Sequence, residues 1–175
     1  MAIIRCTAKL LNELGTDQLT EPGQSPSLWD WHAKLLRIER KKWVLFTNDQ
    51  TLYSFFVRFV KRPLLPDFTE VFRLGLFKSL MGEGFAEPLV EYALRDHRDV
   101  VIAKTTSRSV LGSMNDLAFQ LKCLIETMGG LASADLSEVN REMNQSNWTS
   151  YHFRKENNHV VEDAMLLGQE RQDMK

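Results

Sequence analysis

Two stretches of the chain concentrate the residue types that do chemistry. The first is TTSRSVLGSMNDL, residues 105–117. An apolar run, Val100–Lys104, leads into it and a helical pattern leads out. A strand that passes through hydroxyls into a helix start is a geometry in which backbone N–H groups and the helix dipole receive an anion. Lys104 and Arg108 would add positive charge there, with Arg108 able to hold a phosphate or carboxylate through two parallel hydrogen bonds. Ser109 would add a hydroxyl. The simpler reading is a capped helix: Ser107 or Ser109 closes the first turn, Arg108 is solvated, and Asn115 and Asp116 lie on the exposed face. No GxxxxGK[ST] run occurs, so the segment is not a P-loop.

The second stretch is SLWDWHAKLLRIERKKW, residues 27–43. Asp30 and His32 together suit acid–base work, and Trp29 and Trp31 suit stacking on a base or sugar. On a strand, Asp30 and His32 share one face and the two tryptophans share the other. The plain alternative places a tryptophan in the core, with Asp30 hydrogen-bonded to His32. His32, His97, His152 and His159 have no tight spacing with cysteine, so no metal site is expected, and nothing indicates a cofactor. No GxSxG elbow is present and neither cysteine has an adjacent base, so no catalytic residue is assigned and the question of enzyme or non-enzyme stays open.

The chain that must position these groups has 175 residues, 43% hydrophobic and 26% charged, enough for one domain with a substantial core. A formal net charge of −1 argues against bulk attraction to nucleic acid or an anionic membrane. Local basic clusters do occur, at Arg37, Arg40, Lys41 and Lys42, at Arg58, Lys61 and Arg62, and at Arg95 and Arg98. They suit hairpin solubility as well as phosphate contact, so nucleic acid ranks below a protein partner. No apolar run approaches the roughly 18 residues of a membrane span, and the N-terminus reads as folded structure rather than a secretion signal. Cys6 and Cys123 are expected as two buried free thiols in a reducing compartment, and the cytoplasm is the expected location. The sequon Asn147-Trp148-Thr149 carries no meaning there.

The element pattern predicts an α+β domain over 1–155, with 156–175 as a tail or short docked helix. A strand is expected at 2–6, then a helix Ala8–Leu14 capped by Thr7 and closed by Gly15, then a polar loop at 16–27. A meander over about 31–60 follows, with strands Ala33–Ile38, Trp43–Thr47 and Thr51–Val60 and turns at 39–42 and 48–50. Asp67 and Glu70 resemble a capping box ahead of a helix to Met81. A helix from Pro88 to about Arg95, a buried strand Val100–Lys104, and helices at 109–128 and 134–144 complete the pattern. The sum is a small, mostly antiparallel sheet packed against several helices.

The segments IIRCTAKLLNELG at the start, DWHAKLLRIERKKWVLFTNDQTLYSF at 30–55 and RSVLGSMNDL at 108–117 together resemble a family of small bacterial proteins defined as a domain of unknown function, over about residues 2–155. The resemblance implies a bacterial cytoplasmic protein of one domain and transfers no activity or site residue. Within it, polar residues in apolar surroundings, Asn48, Thr51, Arg108, Ser109, Ser113, Asn115 and Asp116, are what a shared site would look like, and also what turns and caps look like. The favoured function is a non-enzymatic binding or regulatory protein that meets a second copy or another protein, with the apolar face of 43–60 as the contact. The alternative is an enzyme or ligand-binding protein for a phosphorylated small molecule or nucleic acid, acting through the 104–116 turn.

Overall fold

The structure, a computed structural model, describes residues 2–16, 29–59, 65–105 and 107–146. The 16–27 loop except Thr16, the sequon, His152, His159 and the expected tail lie outside the described residues. The elements run β1 (Ala2–Cys6), α1 (Ala8–Leu14), β2 (Trp31–Ile38), β3 (Lys41–Asn48), β4 (Ser54–Arg58), α2 (Leu65–Gly82), α3 (Glu87–Asp96), β5 (Val100–Lys104), α4 (Arg108–Thr127) and α5 (Leu136–Ser146). The expected α+β class holds. The five strands lie in the order β4-β3-β2-β1-β5. The sheet is mixed rather than mostly antiparallel: β1 pairs in parallel with both β2 and β5, while β2–β3 and β3–β4 are antiparallel. β5 is therefore an edge strand, with Val100 and Val101 only half-buried.

Strand alternation divides the core in two. Ile4, Cys6, Trp31, Ala33, Val44, Phe46 and Phe55 point to the side of α1 and α2. Leu36, Ile38, Trp43, Leu45 and Phe56 point to the side of α4 and α5. The apolar runs around 43–57 are thus explained within the chain, because a strand covered on both faces has no polar side to show. The expectation that a second subunit covers that sheet face is corrected by this packing. Gly75 lets α2 come close to β4: a Cβ there would sit 2.4 Å from Val57 Cγ1 and 2.8 Å from Phe55 Cε2.

The free edge of β4 is closed by side chains. Asn144 on α5 accepts from Ser54 N and donates to Ser54 O, both at 2.8 Å, and Asn140 accepts from Phe56 N at 3.2 Å. Four residues of helix rise about 6 Å and two residues of strand about 6.8 Å, so one helix face can match alternate strand amides. Two asparagines so placed act as a partner strand and block edge pairing.

Local chemistry differs from expectation at several ends. The β2–β3 turn has two residues, Glu39 and Arg40, both at positive φ (47° and 63°), and Lys41 and Lys42 belong to β3. Such φ values favour glycine or asparagine. The Glu39 carboxylate is pinned by Leu131 N at 2.7 Å, which fixes the turn against the end of α4. Thr7 stands at the N-cap of α1 without a side-chain cap bond, whereas Gly15 closes that helix in the left-handed conformation as expected. α2 begins at Leu65, so Asp67 lies inside its first turn rather than before it. Cys6 is buried, which pushes its thiol well above the ordinary range, but Cys123 is exposed, correcting the expected pair of buried thiols.

Candidate functional site

A buried charge cluster occupies the α4 side of the sheet near the amino end of β2. Arg5, the fourth residue of β1, pairs in register with His32 on β2, which pairs with Thr47 on β3. Arg5 donates from both terminal nitrogens to Asp30 Oδ2 at 3.2 Å, and from Nη1 also to Asp49 Oδ2 at 2.7 Å. Asp30 Oδ1 also accepts from Ile3 N at 3.1 Å. His32 Nδ1 meets Asp49 Oδ1 at 2.5 Å. Because the carboxylate can only accept, Nδ1 carries a proton toward Asp49. His32 is 1% exposed and its Nε2 has no hydrogen-bond partner. All four side chains are nearly closed off from water, so the cluster's evident work is to lock β1, the start of β2 and the β3–β4 turn together.

The expected site residues separate into two groups. Asp30 and His32 join this cluster, though the partner of His32 is Asp49, across a turn, and Asp30 meets Arg5. Arg5 and Asp49 were not singled out by sequence reasoning. The available signal was a lone arginine inside the apolar strand AIIRC, where a charge must find a buried partner. Asn48 works locally: its Oδ1 accepts from Gln50 N, Thr51 N and Thr51 Oγ1, and its Nδ2 reaches Asp30 O. Lys104, Arg108, Ser109, Asn115 and Asp116 are exposed. Ser107 is the cap of α4, its hydroxyl accepting from Val110 N at 3.3 Å. Asn115 accepts from Lys34 Nζ.

A second buried histidine sits on the opposite face. The Trp31 indole donates to His97 Nε2 at 2.8 Å, so Nδ1 carries the proton and donates to Ala93 O at 2.6 Å. Trp29 and Phe72 pack on the same ring. Burial lowers the His97 pKa, opposed in part by the Ala93 and Trp29 carbonyls and Asp96. Below its ordinary value of 6.5, the unfolded chain binds a proton that the native state refuses. Stability from this residue is therefore complete above that pH and declines as pH falls below it, by up to about 1.4 kcal/mol per pH unit. Urea unfolding of wild type and His97→Gln, stepped down from about pH 7.5 to about pH 5.5, should show a shallower acid slope in the variant. Equal slopes would remove the assignment.

The model of the family described as domain of unknown function (DUF6933) matches residues 3–159. The chain belongs to this family. The match takes in Arg5, Asp30, His32 and Asp49, and agrees with the resemblance drawn from three segments of the sequence. No curated protein matches the chain. Among the described residues, no helix is long and apolar enough to cross a membrane.

Proposed function

We propose that this member of the family is a non-enzymatic binding protein of the bacterial cytoplasm that acts by contact, and that its contact surface is the outer face of α2, covered by a second copy of the chain. The observation that carries the reading is an apolar stripe at helical spacing. Leu74, Phe77 and Met81 are 54%, 39% and 43% exposed, while Phe68, Phe72 and Leu76 on the same helix fill the core. A helix that is apolar on both sides has a second face to cover. The flanking charges favour a copy of itself. Glu70 and Lys78 are both exposed and stand four residues either side of Leu74. A two-fold axis at Leu74 sets each Glu70 against the other copy's Lys78, twice per interface. The free thiols Cys6 and Cys123 suit a reducing compartment.

Light scattering after size exclusion tests this. The expected result is a dimer that Phe77→Glu converts to a folded monomer, because a carboxylate would be forced into the apolar seam. A wild-type chain that stays monomeric over the accessible concentration range overturns the reading.

A further inference from the structure

We propose that the carboxyl ends of β1 and β5 form a binding site for a small phosphate-bearing molecule, held by the hydroxyls of Thr7 and Thr105 and the ammonium of Lys34. The topology singles out this place. β1 and β5 are adjacent and parallel. The helix after β1 packs on one face of the sheet, with Leu10, Leu11 and Leu14 in the core on that side. The helix after β5 packs on the other, through Met114, Leu117 and Leu121. Two neighbouring parallel strands whose connections leave to opposite faces form a switch point, where open α/β sheets hold their ligands.

The side chains at that point are unsatisfied. Thr7 and Thr105 are the first residues beyond the two strands, and the ladder continues through them, with Thr7 N bonded to Ala33 O and Thr105 N to Cys6 O. Both Oγ1 atoms are buried without a hydrogen-bond partner. Alternation puts Thr7 on the same face as Arg5, Thr105 with Ala103, and Lys34 with His32. His32, on that face as well and held at Nδ1 by Asp49, has an unpartnered buried Nε2. Three orphan polar atoms on three neighbouring strands exceed what packing accounts for, since buried polar atoms normally find partners.

The charges that act on Lys34 are of one sign. Lys34 bonds only the neutral Asn115 amide oxygen, and among the described residues neither it nor Lys9 or Lys122 forms an ion pair. Burial first, and then repulsion from Lys9 and Lys122, lowers the Lys34 pKa. An oxyanion accepting from two hydroxyls and an ammonium would satisfy all three donors at once. A polar group on the same ligand would give His32 Nε2 the partner it lacks. Lys104 and Arg108, exposed at this end of the sheet, add positive charge to the approach.

The test is a titration of the full chain with inorganic phosphate, followed by amide NMR shifts and compared with acetate and chloride at equal ionic strength. Saturable shifts at Thr7 and Thr105 are expected with phosphate and not with acetate. Lys34→Gln should weaken binding about tenfold, the worth of one charge-assisted hydrogen bond. Thr105→Val, nearly equal in shape, should weaken it as well and serves if the lysine variant does not fold. Shifts that fail to saturate, equal response to acetate, or phosphate binding unchanged in a folded variant would overturn the site.

Discussion

Arg5→Ala should destabilise the fold by about 3–5 kcal/mol, because it removes the guanidinium from two carboxylates that have no water to turn to. Asp30 and Asp49 are both nearly closed off from solvent, and Arg5 donates to each of them. Removing the arginine leaves two buried carboxylates with no cation between them, so the cost is more than that of one lost hydrogen bond. A loss of this size is a large fraction of the stability of an ordinary domain. Urea unfolding reads it directly, and a companion variant separates the causes. If charge is the reason, adding Asp30→Asn and Asp49→Asn to the Arg5→Ala chain should return part of the stability, although each single asparagine variant alone destabilises. A loss below about 1 kcal/mol for Arg5→Ala would mean that the cluster is solvated and contributes little.

Phe72→Ala should cost a similar amount, about 3–5 kcal/mol, by a different route. Phe72 is wholly buried on α2, and its ring lies 5.4 Å from Trp31, 5.1 Å from Phe46, 5.7 Å from Phe55 and 5.2 Å from His97, centroid to centroid. Truncation removes the side chain from the middle of an aromatic cluster whose other rings are held on the sheet and at the end of α3, so the space cannot close easily. The denaturation midpoint should fall with an unchanged slope, and the near-UV signal of Trp31 should change. Phe77→Ala on the opposite side of the same helix should barely alter stability of the monomer, because Phe77 leaves its ring partly in water. Equal losses for the two variants would contradict the assignment of the helix faces.

The elements were readable because their signals are local. Val110, Met114, Leu117, Leu121 and Leu124 repeat at helical spacing within one segment, and α4 is found at Arg108–Thr127. The glycine at 15 and the apolar strands 33–38 and 43–47 are of the same kind. Boundaries moved where local signals were ambiguous. Asp67 has the form of a cap, yet the helix had already begun, and the strand expected over Thr51–Val60 is found at Ser54–Arg58. Asp30 and His32 drew notice because they share an aromatic segment, but their partners did not.

Composition, element order, the α+β class and family membership thus follow from the order of residues, since propensity, periodicity and motif act over a few neighbours. The site belongs to the three-dimensional pairing. Arg5 meets Asp49 across 44 positions of sequence, and it does so only because β1 enters the sheet in parallel between β2 and β5. The same insertion brings Thr7 beside Thr105. No short-range pattern encodes which strand lies beside which. That choice comes from the burial of two apolar faces at once, and it placed Arg5 where a charge needs partners drawn from distant parts of the chain.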